Sequence, residues 1–502
     1  MPINDVFRYH AIIRVIDSNK GAQMRNETNN YHQKSNNFNH HRKPNPGVQV
    51  KLDQRVTVTI KRLGINGEGV GYYRRKLIFI PGALPTEVVQ ADITDIQPKF
   101  LRGKIVQIDK KSKFRVEPRD AYANEVGGFE LEDLEYSQQL KFKRDLVKQA
   151  LSRYHPRGFE KYDVRPTIGM ENPYEYRNKA AFQVRTTEDG YVIAGLYKEG
   201  THEVVNMPTC SVQYPLTMKV MRAVVDMVED FEIPTYDEKT NSGILKTIVV
   251  RAALNTNDVQ VVFITNSNKL IKKQKLIMRI AEELPEVTSI MQNVNPGETP
   301  LIWGDETIHL AGSETITEKI DGLAFDLSPR AFLQLNSIMT PKLYHLAGEA
   351  LNLDASDYLV DAYSGVGTIG LTLANQVAEV RGMDTVKEAI EDANENAKIN
   401  HIDNAEYFYG KAEDVLPQWM AAGWRPTALV VDPPRVGLDQ ALIDTILQTR
   451  PEKFVYVSCN QSTLAQNLVQ LTKSYNVDYL QPIDMMPQTP HVEIVVKFTL
   501  KK

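Results

Sequence analysis

Cysteine is scarce in this chain of 502 residues: only Cys210 and Cys459 occur. Two thiols exclude a disulfide scaffold and are too few for a cysteine-only zinc or iron–sulfur site. Long apolar runs are missing too. None approaches the roughly 20 residues of a membrane helix, and the amino terminus lacks an apolar signal-peptide core. The cytoplasm is therefore the expected compartment, with no membrane partner. A net positive charge is also absent. The formal charge is −4, which by itself argues against a nucleic-acid binder, yet residues 51–120 hold 15 Lys or Arg against 8 Asp or Glu. A basic excess concentrated in one small module is the footprint expected of a phosphate-binding surface.

The length suits several domains, each able to bury a core. Residues 1–48 include NETNNYHQKSNNFNHHRKPNPG, too polar to offset chain entropy by burial, and are expected to be a disordered tail. Met24 is read as the functional start. His32, His40 and His41 are irregularly spaced and are not taken as a metal site. Residues 49–110 alternate apolar and polar residues between glycine-rich turns, predicting a small β-barrel. Gly64, Gly67, Gly69 and Gly71 mimic a phosphate loop, but no helix follows them, so they are read as hairpin and bulge positions.

Residues 111–320 mix helical and strand patterns and predict a central α+β domain that helps hold a nucleic acid. Its helix at Tyr136–Arg153 carries Lys141, Lys143, Arg144 and Lys148 on one side, and a Y-R-N-K run (Tyr176 to Lys179) leads into a strand. Arg177 and Lys179 allow two readings, substrate contact or turn capping. From 321 to 502, strands alternate with amphipathic helices. That pattern predicts a doubly wound, mainly parallel Rossmann-like sheet, with VEIVVKFTL as its last strand.

The chemistry-bearing stretches lie in this last region. In D-A-Y-S-G-V-G-T, starting at Asp361, a strand turns into a helix through Gly365 and Gly367, whose lack of Cβ lets backbone approach a ligand. The G-V-G-T-I-G spacing suits NAD and S-adenosyl-L-methionine equally. So does Asp384, which ends the next strand where a ribose diol would bind. The tie is broken by D-P-P-R, Asp432 to Arg435, which is foreign to dehydrogenases and suits a methyltransferase site opening on a nucleobase. Amine methyltransferases commonly end this motif with an aromatic residue. Arg435 in that place points instead to carbon methylation assisted by a covalent nucleophile. In FVYVSCNQSTL, Cys459 stands where a buried strand stops. Position alone favours a buried filler. The neighbouring motifs favour a reactive thiol.

Two resemblances sharpen the picture. K-R-L-G-I-N-G-E-G-V-G (Lys61 to Gly71) with F-I-P-G-A-L-P (Phe79 to Pro85) resembles a TRAM domain, a small RNA-binding barrel. That implies phosphate contacts by Lys61, Arg62, Arg74, Arg75 and Lys76, and stacking by Tyr72 and Tyr73. S-P-R-A-F-L-Q-L-N, D-A-Y-S-G-V-G-T, V-D-P-P-R, Y-V-S-C-N and D-M-M-P-Q-T-P-H-V-E, in that order, resemble the RNA (uracil-C5)-methyltransferase family over roughly residues 51–502. The TRAM-bearing branch that modifies 23S ribosomal RNA looks closest.

The resemblance implies S-adenosyl-L-methionine as cofactor, RNA as partner and a monomeric enzyme. Cys459 would be the nucleophile that adds to C6 of uracil, and Glu493 the base that removes the C5 proton. Gln334, Tyr363, Asp384 and Asp432 would contact the cofactor, Asp384 standing where a glutamate is usual. The site is expected to favour the thiolate of Cys459, with help from Arg435. Many TRAM-bearing relatives hold an iron–sulfur cluster on four cysteines. The matching stretch here, AYANEVGGFELEDL (from Ala121), has Val126 and Phe129 around its glycines, so no cluster or other metal is expected and packing must order that segment. Cys210 is read as a structural thiol. Rival readings are the same reaction on a tRNA T-loop uridine, an RNA-binding ribosome assembly factor, and a nucleotide-dependent oxidoreductase, the last disfavoured by D-P-P-R.

Overall fold

The structure, a computed structural model, describes residues 50–502. The expected polar tail and the start at Met24 lie outside the described residues. Two compact units divide the chain at Arg115 and Val116.

The first is a closed five-stranded barrel. Strands β1 (Arg55–Leu63), β2 (Gly69–Tyr73), β3 (Lys76–Ile80), β4 (Val88–Ile96) and β5 (Phe100–Lys110) are ordered β1-β2-β3-β5-β4. Period-two alternation explains the closure: β1 buries Val56, Val58 and Ile60 and exposes the residues between them. The glycines serve as hairpin and bulge residues. The β1–β2 register shifts between Ile60 and Arg62, and a Cβ on Gly71 would lie 2.4 Å from Val58 Cγ1. Arg74 and Arg75 form the two-residue turn between β2 and β3, both at positive φ. Glu87, fully buried, accepts from Arg115 Nε (2.8 Å) and Nη2 (2.9 Å) and from the N–H groups of Leu84 and Ser112. Burial pushes this carboxyl up, but those hydrogen bonds outweigh it and hold it below the usual carboxylate range.

The second unit opens with α1 (Tyr136–Tyr154) and a short strand β6 (Asp163–Val164). Next come β7 (Lys179–Thr186), β8 (Val192–Tyr197), β9 (Val204–Asn206), α2 (Pro215–Asp230), β10 (Leu245–Ala252), β11 (Val259–Thr265), α3 (Lys273–Glu283), β12 (Val287–Val294) and β13 (Glu306–Gly312). These strands form a sheet ordered β13-β12-β11-β10-β7-β8-β9. Only β11 and β12 pair in parallel, and α3 connects them as such a crossover requires. The strands β14 (Ile316–Ile320) and β15 (Leu323–Leu327) make a separate hairpin. The expected boundary at 321 falls in its turn.

The basic face expected on α1 is corrected by the structure. Lys143 is fully buried and paired with Asp484, and Arg144 donates to the Val164 carbonyl, which leaves Lys141 and Lys148 exposed. The segment from Ala121 is ordered by burial of Val126 and Phe129 and by Glu132, whose Oε1 accepts from the Asp120 N–H. Asp120 in turn accepts from the N–H of Ser211, next to the buried Cys210. Burial pushes the Cys210 thiol up to about 11.

The remaining elements are α4 (Thr340–Leu351), β16 (Tyr358–Ala362), α5 (Thr368–Leu373), β17 (Glu379–Asp384), α6 (Lys387–Ile399), β18 (Ala405–Tyr409) and α7 (Ala412–Ala421). Then follow β19 (Ala428–Val431), α8 (Gln440–Thr449), β20 (Lys453–Ser458), α9 (Gln461–Leu471), β21 (Tyr475–Ile483) and β22 (Glu493–Leu500). They build an eight-stranded Rossmann-like sheet ordered β18-β17-β16-β19-β20-β22-β21-β6. β16 to β20 run parallel, and β22 pairs antiparallel with β20. Strands covered on both faces read as unbroken apolar runs, as ALVV in β19 does. The chain moves outwards from β16 to β18 and returns beside β16 as β19. That reversal opens a crevice at the carboxyl ends of the strands. Among the described residues no helix is long and apolar enough to cross a membrane.

Candidate active site

The expected site residues converge on this carboxyl edge. Tyr363 follows β16, Asp384 ends β17, Asp432 follows β19 and Cys459 follows β20. Glu493 joins them through strand direction. Because β22 runs opposite to β20, its first residue lies beside the end of β20. The pairing of Ser458 with Ile494 sets Glu493 next to Cys459 across the two strands. Gln334 lies on the irregular stretch before α4, and its Nε2 donates to Asp432 Oδ2 at 3.4 Å.

That stretch is fixed by groups to which the sequence pattern gives no role. Asn178 Nδ2 donates to the Gln334 carbonyl and to Ser337 Oγ, both at 2.9 Å. Arg251 donates to the carbonyls of Ser328 and Ala331. Within Y-R-N-K it is thus Asn178 that bonds to the cofactor-side loop. Burial, with Arg251 and Arg177 nearby, pushes Lys179 down to about 7. Asp361 and His491 also reach the site without a role foreseen for them, although both stand inside recognisable motifs.

The thiol environment departs from expectation. Cys459 is half-buried, unlike the buried Cys210, but its site disfavours the thiolate. Burial, then the carboxylates of Glu493 and Asp432, push the thiol well above its ordinary value, and the opposing Arg435 does not offset them. One guanidinium faces two carboxylates in a low-dielectric pocket, so the acid form wins. Burial and Asp432 push Glu493 up to about 8, against Arg435. Burial and Asp361 push Asp432 up to about 7, against the Gln334 hydrogen bond. The Oε2 of Glu493 is enclosed and has no hydrogen-bond partner among the described residues. Arg435 is tethered through its carbonyl, which accepts from Asn460 Nδ2 (2.9 Å) and Thr463 Oγ1 (3.1 Å). Its Nη2 lies 2.5 Å from Nδ1 of His491.

The glycine loop after β16 fits an adenosine-bearing ligand. Tyr363, Gly365 and Gly367 all take positive φ, and the space a Cβ on Gly365 would enter is empty. Asp384 is braced from both sides: Oδ2 accepts from the Gly365 N–H and Oδ1 from the Val386 N–H, each at 3.0 Å. A fixed carboxylate at the end of the second strand suits a ribose diol. Asp361 accepts from the Gly370 N–H at 2.8 Å and locks the turn into α5. The described residues contain no group of His, Cys, Asp or Glu arranged to hold a metal ion.

Comparison with known proteins follows the same division. The TRAM domain family matches residues 49–106, and the tRNA (Uracil-5-)-methyltransferase family matches residues 313–501. An uncharacterized RNA methyltransferase of Lactiplantibacillus plantarum is 60% identical over 477 residues, covering 94% of this chain and 99% of its own length. One from Enterococcus faecalis is 52% identical over 452 residues, covering 90% and 99%. Among solved structures, the Pyrococcus abyssi tRNA (uracil-54, C5)-methyltransferase in complex with S-adenosyl-L-homocysteine matches with a TM-score of 0.71 at 27% identity. The match covers 88% of this chain and 99% of that one. Residues 116–502 alone fall short of that share, so the match reaches into the residues before 116.

Proposed function

This chain belongs to the RNA (uracil-C5)-methyltransferase family and is an S-adenosyl-L-methionine-dependent RNA methyltransferase; on that footing we propose that it methylates uracil C5 in 23S ribosomal RNA through a covalent bond from Cys459 to C6. The observation that carries the reading is the register of β20 and β22, which sets a half-buried thiol beside a carboxylate without a hydrogen-bond partner on one oxygen.

C5 of uracil is a weak nucleophile. The Cys459 thiolate donates an electron pair to C6, and the C5–C6 π pair moves towards O4 as an enolate, which makes C5 nucleophilic. When bound, S-adenosyl-L-methionine supplies an electrophilic methyl group for C5. The Glu493 carboxylate then takes the C5 proton. The freed pair restores the C5–C6 double bond, and the S–C6 bond breaks to return the thiolate. Gln334, Tyr363, Asp384 and Asp432 hold the cofactor. Arg435 is the cation that favours both working anions.

The target base must leave its stack before a thiol can reach C6, at a cost of a few kcal/mol. Phosphate contacts by the barrel offset that cost. Arg74 and Arg75 stand exposed at a hairpin tip beside Tyr72, which is 58% exposed and open to stacking.

A second reading, a tRNA loop uridine, is favoured by the match to the Pyrococcus enzyme, which extends beyond the catalytic unit. The resemblance of the barrel-bearing chain to the branch that modifies 23S ribosomal RNA supports the first reading. An assembly-factor role would leave Cys459 and Glu493 without a task. The test is to incubate the protein with labelled cofactor and either 23S or tRNA transcripts, then identify the modified nucleoside. Label as 5-methyluridine in 23S RNA is expected. Label confined to tRNA would favour the second reading, and none in either would overturn the proposal.

A further inference from the structure

Glu493 Oε2 is enclosed and has no hydrogen-bond partner among the described residues, so that oxygen is not aimed by a hydrogen bond. Strand pairing gives Glu493 its place, opposite Ile483 of β21 and next to the residue that pairs with Ser458 of β20, and the connection from β21 to β22 delivers the chain to that place. That connection is tied along its length. The Asp484 N–H donates to the Ile168 carbonyl (2.8 Å), and the Met485 carbonyl accepts from Asn336 Nδ2 (3.0 Å). The Met486 carbonyl accepts from Lys143 Nζ (3.0 Å) and the Pro487 carbonyl from the Tyr176 hydroxyl (3.0 Å). Gln488 sits at φ +69, in the left-handed region that costs a residue with a side chain. Gln139 holds it there, accepting from its N–H (3.1 Å) and donating to its Oε1 (2.8 Å). Thr489 Oγ1 accepts from the His491 N–H, which extends the order to two residues before Glu493.

Tyr136, Gln139 and Lys143, spaced three and four apart, share one face of α1. Lys143 Nζ lies 2.5 Å from Asp484 Oδ1 with both side chains fully buried, and the Tyr136 hydroxyl donates to Asp484 Oδ2 at 3.0 Å. A buried ion pair stabilises poorly, because desolvation consumes most of the attraction, and an apolar pair of similar volume holds a helix as well. What the pair supplies is direction: one ammonium is shared between a carboxylate and a backbone carbonyl of the same turn.

We propose that Tyr136, Gln139, Lys143 and Asp484 form a positioning clamp that aims Glu493 at the C5 proton, so that they govern proton removal and product release rather than addition of Cys459. The clamp rests on the covalent reading above. Cys459 stands at the end of β20, between β19 and β22, and none of the clamp's hydrogen bonds given above is made to it. RNA containing 5-fluorouridine separates the two steps, since its adduct forms through the thiol and then stalls for want of a C5 proton. The double variant Lys143→Met/Asp484→Leu removes both charges together and leaves no unpaired ion. It should form the fluorinated adduct within about two-fold of wild type while turnover on ordinary RNA falls about 10- to 100-fold and covalent complex accumulates. Tyr136→Phe, which keeps the ion pair, should show the same selective loss at about three-fold and decides the matter if the double variant does not fold. Wild-type turnover in both variants, or equal loss in both assays, would overturn the clamp. Absence of any adduct in wild type would instead defeat the covalent reading, and the clamp with it.

Discussion

The two cysteines of this chain differ by environment, not by type. Cys210 is buried beside Ser211 and Asp120, whereas Cys459 meets the crevice among Glu493, Asp432 and Arg435. Cys459→Ala should therefore abolish methylation, and Glu493→Gln should accumulate a methylated protein–RNA complex visible on a denaturing gel. Release of product at the wild-type rate would remove Glu493 from its role. The pH dependence follows from the direction of the shifts. Both groups work as anions, and both sit above their ordinary values, Glu493 at about 8. Raising the pH populates the working forms, so kcat/KM should climb through about pH 8, where Glu493 titrates, and go on rising beyond it as the thiol ionises. Arg435→Gln removes the charge that favours both anions and should move that rise to higher pH. A flat profile, or one moved to lower pH in the variant, would contradict the assignment.

At the scale of elements, the Glu87–Arg115 pair anchors the chain where it leaves the barrel. Glu87→Gln should destabilise the barrel by about 1.5–3 kcal/mol, because the buried charge-assisted hydrogen bonds that Glu87 accepts from Arg115 would be weakened. The folded value of Glu87 lies below the unfolded one, near 4.3. Its contribution is complete above that pH and is lost as pH falls towards the folded value. Acid unfolding followed by circular dichroism should thus lose part of its steepness below about pH 4.5 in the variant.

Elements of this kind were largely legible in the sequence. The barrel glycines announced hairpins because no helix followed, and unbroken runs such as ALVV announced buried parallel strands. Contacts between distant elements were not legible. Lys143 read as a surface charge because its partner, Asp484, lies 341 residues further along the chain. The balance of charge on Cys459 was misjudged for a related reason. Sequence names the charged groups, but the antiparallel register of β22 decides how close Glu493 comes.

For the whole molecule, a net charge of −4 conceals a basic barrel attached to an acidic catalytic unit. Affinity for RNA should fall steeply with salt. Replacing Arg74 and Arg75 by alanine should lower the slope of log affinity against log salt by about two if each meets a phosphate. An unchanged slope would move the RNA path off that hairpin.

The claim on which the rest depends is that Cys459 bonds to the RNA. Incubation with 5-fluorouridine-containing RNA and S-adenosyl-L-methionine, followed by nuclease and protease digestion and mass spectrometry, tests it directly. A methylated fluorouridine attached to the peptide that contains Cys459, and absent from Cys459→Ala, is the expected product. No adduct, an adduct on Cys210, or one that persists in the variant would contradict it.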